Sequence, residues 1–133
     1  MNGLTVDRRI AAPPERVWRA LTDPVRLAEW FWPPRFETAV ELEAREGATY
    51  RIASAPVGMA VSGTIVAIDP EHSLTLTWRW DGEELDTRVR IALTPDGDGT
   101  RVTVRHDGFA DGETAGEHVQ GWNDCLDRLP AAL

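Results

Sequence analysis

The chain has 133 residues, of which 42% are hydrophobic, and its formal net charge is −8. This size suits a single domain with one core, which we expect to cover residues 1–133. All 14 basic residues are arginine, so lysine-based Schiff-base and P-loop chemistry is excluded, and the acidic balance argues against a nucleic-acid partner.

The first third of the chain predicts one strand and two short helices. Residues 4–11 alternate as a strand whose inner face carries Leu4, Val6, Arg8 and Ile10. Pro13 and Pro14 then open a short helix, and Asp23 before Pro24 predicts the N-cap of a second one. That second helix ends at an aromatic segment, residues 30–32, which two prolines follow.

Six strands and a long helix are predicted for the rest of the chain. Apolar residues alternate over 36–44, 48–54, 59–68, 73–80, 84–94 and 100–109. The helix, over about 113–130, has an apolar stripe formed by Ala115, Val119, Trp122, Leu126 and Leu129. Consecutive strands favour an antiparallel sheet, which curls when it is large, and the helix can close its concave face. We therefore expect an α+β fold with a cavity between sheet and helix, open at one end.

Three segments also carry a family resemblance, and they cover nearly the whole chain. They are APPERVWRALTDPVRLAEWF after the first strand, GTIVAIDPEHSLTLTW, and HDGF followed by HVQGWNDCLDRL. In this order they resemble the family of activator of heat-shock protein 90 ATPase homologues, in the START and polyketide-cyclase-like (SRPBCC, Bet v-like) superfamily. The resemblance implies a helix-grip fold, in which a curved seven-stranded antiparallel sheet wraps around the C-terminal helix. One departure is that family members often have paired tryptophans before the proline, where this chain has Trp-Phe-Trp.

The aromatic segment has more apolar surface than a short helix needs. It could form a plain cap over the core, line a pocket or offer a surface to a partner. We hypothesise that the segment gates an internal pocket whose far wall includes Met59, Trp78, Trp80 and Trp122. If it is a gate, Trp32→Ala should weaken binding with little loss of stability. If it is core, the same substitution should cost about 3–5 kcal/mol.

Several inward or helical residues have both a structural and a functional interpretation. Trp78 and Trp80 either fill the core or direct their indole N–H groups to a polar atom of a ligand. His106 is either a satisfied core group or a hydrogen-bonding or basic group of the pocket. His118 could face the cavity, although exposure is the better expectation. Arg8 must find a carboxylate, reach solvent or bind an anionic ligand group.

The candidate ligand-binding set follows from these patterns. It comprises Arg8, Trp30, Phe31, Trp32, Phe36, Met59, Trp78, Trp80, His106, Phe109, His118 and Trp122. Gly121 interrupts the final helix, which close helix–sheet approach or room for a ligand would explain.

Catalytic and targeting motifs are not evident. The three histidines lack metal-ligand spacing and Cys125 has no evident histidine partner, so we expect no metal and no cofactor. No stretch is apolar enough for a membrane span and residues 1–20 lack the apolar run of a signal peptide, which predicts a cytoplasmic protein.

The favoured function is binding of a small hydrophobic or aromatic molecule. The alternatives are a cyclase- or hydrolase-like enzyme using His106, and a co-chaperone-like module that activates an ATPase. A homodimer or a chaperone partner is left open.

Overall fold

The computed structural model describes residues 2–133. Its strands are β1 (Asn2–Ile10), β2 (Ala39–Leu42), β3 (Thr49–Ser54), β4 (Met59–Asp69), β5 (Ser73–Trp80), β6 (Thr87–Asp96) and β7 (Gly99–Phe109). Its α-helices are α1 (Pro14–Thr22), α2 (Pro24–Trp30) and α3 (Gly112–Arg128). Short 3-10 turns occupy Pro34–Phe36 and Leu129–Ala132. Within the described range, no helix combines the length and the apolar character that crossing a membrane requires.

The seven strands form one antiparallel sheet in the order β1-β7-β6-β5-β4-β3-β2. The two strands nearest the start of the chain therefore lie at opposite edges of the sheet. Strands β2 to β7 follow one another as hairpins, and β1 joins at the far side by pairing with β7. This architecture, closed by the long C-terminal helix, confirms the predicted α+β helix-grip fold.

Local sequence signals explain where the helices begin. Asp23 caps α2 by accepting a hydrogen bond from the Val25 amide at 3.0 Å, with Pro24 in the first turn. Asp111 caps α3 by accepting from the Thr114 amide at 2.7 Å. This backbone hydrogen bond also lowers the pKa of the Asp111 carboxyl.

Alternation places one face of the sheet against the helices. The inward residues of β6 and β7 are buried, and they include Val89, Ile91, Leu93, Val102, Val104 and His106. Helix α3 packs mainly across β1 and α1 lies over β6 and β7. The space between the sheet and the helices is nearly filled, because the cavity at its centre measures only about 30 Å³. The expected cavity between sheet and helix, open at one end, therefore has to be sought nearer the end of the sheet than its centre.

Two strands begin three residues later than predicted. Strand β2 begins at Ala39 and not at residue 36, because Pro34–Phe36 forms a 3-10 turn and Glu37 has a φ of +46°. Strand β6 begins at Thr87 and not at residue 84.

In β4, position 63 has to be glycine because the neighbouring strand β5 comes very close to it. A Cβ there would lie 2.1 Å from the Thr77 carbonyl oxygen.

Candidate functional site

An aromatic pocket opens at one end of the molecule, beyond the filled centre. It lies between residues 31–36, the start of β4, the end of β5 and one side of α3, and its volume is about 390 Å³. Its apolar wall consists of Phe31, Trp32, Pro33, Phe36, Met59, Trp78, Trp80 and Trp122. A volume of this size suits a small organic molecule, since ligand pockets measure roughly 300–1,000 Å³.

The rings of this wall contact one another in a continuous layer. Trp32 stacks on Trp80 with ring centroids 6.3 Å apart and planes 13° apart. Phe31 contacts Trp122 edge-on at 5.9 Å, and its ring lies 6.1 Å from that of Trp78. The gate hypothesis grouped Trp32 and Phe31 with a far wall of Met59, Trp78, Trp80 and Trp122, and all six line this pocket.

Trp30 does not belong to this wall. Its indole Nε1 donates to the carbonyl of Ala20 in α1 at 2.9 Å, and the residue is buried. Consecutive residues on a helix point about 100° apart, so Trp30 and Phe31 cannot share one face. The aromatic segment therefore divides into one core residue and two pocket residues, which corrects the expectation that all three act together.

The end of α2 is fastened to α3 by two residues that the sequence analysis did not select. Arg128 donates from Nε to the Trp30 carbonyl at 3.0 Å and from Nη2 to the Phe31 carbonyl at 2.6 Å. The Cys125 thiol donates to the same Phe31 carbonyl at 3.0 Å. These contacts satisfy carbonyls that the end of a helix leaves without partners. They fix the position of Phe31 and hence of the pocket wall.

A second pocket lies on the other side of a tryptophan–histidine pair. The Trp80 Nε1 donates to His118 Nε2 at 2.9 Å, and His118 Nδ1 donates to the Thr114 carbonyl at 2.9 Å. This second pocket measures about 340 Å³ and shares Trp78, Trp80 and His118 with the aromatic pocket. His118 is thus half-buried in a partition between the two pockets, and not exposed as expected. Phe109 lines only the second pocket.

His106 is a buried structural histidine. Its Nδ1 accepts from the Trp122 indole at 3.0 Å, so Nε2 carries the proton and donates to Thr87 Oγ1 at 2.7 Å. Thr87 Oγ1 in turn donates to the Trp78 carbonyl at 3.1 Å. Burial, with a smaller effect of His118, lowers the pKa of His106 to about 3. His106 lines neither pocket, and both of its ring nitrogens are already engaged.

Arg8 lies on the inward face of β1, as the alternation predicts, but away from the pocket. Its guanidinium binds Asp127 at 2.6 Å and Asn123 at 3.1 Å, and both partners belong to α3. The side chain is one-third exposed, so it has the carboxylate partner and the solvent contact that such a position requires. Arg8 thus joins β1 to α3 and does not reach a ligand in the aromatic pocket.

The side of α3 that faces the pocket combines a glycine with charged residues. Nothing lies within 4 Å of a Cβ built at Gly121, so close helix–sheet packing does not explain this glycine. Gly121 lines the pocket, and a larger residue there would occupy it. Glu117, Asp124, Arg128 and, from the opposite side, Arg35 place two acidic and two basic groups at the rim.

Comparisons with known proteins place this geometry in a family. The model of the activator of Hsp90 ATPase homolog 1-like proteins matches residues 11–133. Protein MLL2253 from Mesorhizobium loti is similar at 27% identity and a TM-score of 0.86, with 98% of this chain and 96% of that chain covered. Protein CV1439 from Chromobacterium violaceum is similar at 29% identity and a TM-score of 0.83, with 98% and 95% covered.

A third solved structure is more similar in sequence than these two. CalU16 from Micromonospora echinospora is 31% identical with a TM-score of 0.76, and the match covers 98% of this chain and 74% of that chain. No curated protein matches the sequence. The family match over most of the chain agrees with the resemblance expected from sequence. The chain belongs to the family of activator of Hsp90 ATPase homolog 1-like proteins.

Proposed function

We propose that this protein binds a small apolar or aromatic molecule in the aromatic pocket. The observation that carries this proposal is a 390 Å³ opening walled by six aromatic rings at the mouth of a helix-grip fold. Aromatic rings offer large apolar faces and lose little conformational entropy when a ligand binds. The helix-grip fold and the family membership agree with a ligand-binding domain.

The sequence leaves two other functions open, and no observation among residues 2–133 favours either of them. A catalytic base at His106 would need a free nitrogen and access to substrate, whereas both nitrogens are bonded and the residue is fully buried. A docking surface on the aromatic segment would need exposed rings, whereas Trp30, Phe31 and Trp32 are at most 7% exposed.

Gly121 offers a direct test that does not depend on removing core residues. Gly121→Leu should fill the pocket and abolish saturable binding of the dye anilinonaphthalene sulfonate, measured by its fluorescence. The substitution should not destabilise the protein, because its Cβ enters open space and replaces a helical glycine, which is about 1 kcal/mol less favourable than alanine. Thermal melting of the Gly121→Leu variant and the wild type measures whether stability is kept.

Gly116→Leu is the matched control. Gly116 lies in the same helix, also has no atom within 4 Å of a built Cβ, and does not line the pocket. This variant should bind the dye as the wild-type protein does. Equal dye affinity in the Gly121→Leu variant and in the wild type would contradict the proposed site.

Trp32→Ala gives a second, independent measurement. Because the ring lines the pocket and stacks on Trp80, its loss should weaken dye binding several-fold. Trp32 is only 7% exposed, so the substitution should also destabilise the protein, and affinity must be compared at a temperature where both proteins are folded. Trp18→Ala, on α1 and outside the pocket, is the control for losing one tryptophan.

A further inference from the structure

One buried indole N–H in the pocket wall has no acceptor. Trp30, Trp80 and Trp122 donate to Ala20, His118 and His106, respectively. In contrast, Trp78 Nε1 is buried without a hydrogen-bond partner among residues 2–133, and its side chain is 95% buried. The other such atom is Thr38 Oγ1, which lies outside the pockets described above. Buried N–H groups are almost always bonded, so this one requires an explanation.

Trp78 occupies the junction of the three cavities. It lines the aromatic pocket, the second pocket and the small central cavity. Its ring lies 5.4 Å from that of Trp122, 5.5 Å from that of Trp80 and 6.1 Å from that of Phe31. These rings contact Trp78 edge-on or at a tilt, and none of them offers an oxygen that could accept its N–H as a carbonyl would.

We propose that the ligand carries a neutral hydrogen-bond acceptor, a carbonyl or phenolic oxygen on a flat apolar body, and that Trp78 Nε1 donates to this oxygen. The inference rests on the proposed function and specifies the ligand class of the same pocket. An indole can only donate, so its partner must be an acceptor. The oxygen is neutral, because the rings that surround Trp78 carry no charge, and an ion held between them would lose its hydration. The basic groups of the pocket, Arg35 and Arg128, are not among these ring neighbours of Trp78.

Contact with the ligand requires a side chain to move, since Trp78 Nε1 has no solvent contact in this structure. Trp80 is suited to that movement. It is the last residue of β5, it is half-buried, and a single hydrogen bond to His118 holds its indole N–H. Side-chain rearrangements of this kind are common when proteins bind partners.

The test compares two probes of the same shape, acetylnaphthalene and isopropenylnaphthalene, which differ in whether an oxygen or a CH₂ group terminates the double bond. Their affinities are measured by tryptophan fluorescence for the wild type, Trp78→Phe and Trp32→Phe. In Trp78→Phe, the preference for the ketone should fall about five- to tenfold, the value of one hydrogen bond. In Trp32→Phe, which also removes an indole from the wall, the preference should not change.

The indole N–H signals of a tryptophan-labelled sample give a readout that stays valid if Trp78→Phe does not fold. Acetylnaphthalene should shift one indole signal downfield in the wild type, and isopropenylnaphthalene should not. If both probes bind and Trp78→Phe keeps the wild-type preference for the ketone, the inference is overturned while the proposed function stands. The same holds if both probes bind and no indole signal shifts with the ketone alone. If neither probe nor dye binds, the proposed function fails and the inference fails with it.

Discussion

The protein uses the same hydrogen bond, from a tryptophan indole to a histidine nitrogen, in two regions with different surroundings. In the packed centre, Trp122, whose ring also reaches the aromatic pocket, donates to His106 at 3.0 Å, and His106 has no exposed surface. In the partition between the two pockets, Trp80 donates to His118 at 2.9 Å, and both residues are half-buried. The first bond belongs to a network that cannot open without exposing buried polar groups. The second can be exchanged for water, so the wall of the pocket can rearrange where the centre cannot.

The largest difference between the two regions should appear when apolar volume is removed. Leu126→Ala, in the centre, should lower the free energy of unfolding by about 2–5 kcal/mol, because the residue is 1% exposed and leaves a cavity. Met59→Ala, at the pocket, should cost less than about 1 kcal/mol, because the half-buried side chain already faces open space. Urea unfolding of both variants measures this. Equal costs would mean that the pocket is packed as tightly as the centre.

The centre should also make stability depend on pH. The pKa of His106 is lowered from 6.5 to about 3 by burial, so the unfolded chain binds a proton that the folded protein does not. This contribution is fully present above pH 6.5 and decreases as the pH falls, by about 1.4 kcal/mol per pH unit. Between pH 6.5 and about 5, the loss attributable to His106 is about 2 kcal/mol.

The His106→Gln variant provides the comparison for this pH dependence. Its carboxylates titrate as in the wild type, so the difference between the two unfolding free energies isolates the histidine. The wild type should lose stability faster than the variant over this range, as measured by urea unfolding at several pH values. Parallel curves would show that His106 takes up its proton in the folded state.

The smallest effect concerns the two indole donors themselves. Trp122→Phe leaves His106 Nδ1 buried without a partner, whereas Trp80→Phe leaves His118 Nε2 where water can reach it. A buried unsatisfied group costs about 1–3 kcal/mol and an exchanged bond about 1 kcal/mol, so the central variant should be less stable by about 1 kcal/mol. Thermal or urea unfolding of the pair measures the difference. A less stable Trp80→Phe variant would reverse the comparison.

The fold was predictable because two independent signals agreed. Period-two alternation in β5, β6 and β7 places Leu74, Val89 and Val104 in the core, and family motifs imply the same arrangement. The boundaries of β2 were not predictable in the same way, because Phe36 continues the alternating pattern. Its 3-10 conformation depends on the preceding prolines and on the left-handed backbone at Glu37.

The aromatic part of the site could be predicted, but the hydrogen bonds that hold it to α3 could not. Large apolar side chains beyond the needs of a short helix indicate a pocket wall from sequence alone. Arg128 and Cys125 act on backbone carbonyls of residues 30 and 31, almost 100 positions earlier, and no side-chain pattern encodes such contacts. Likewise, the alternation that placed Trp78 and Trp80 on one face could not show which indole would find an acceptor.

The contact between Cys125 and the Phe31 carbonyl makes the alkylation rate of this cysteine a measure of how often the pocket wall moves. Cys125 is 5% exposed, and burial raises the pKa of its thiol to about 12, so we expect its alkylation to be slow while α2 and α3 are in contact. The chain has no other cysteine. The rate of its modification therefore reports how often the contact between α2 and α3 opens. A ligand that holds the pocket wall against α3 should lower this rate.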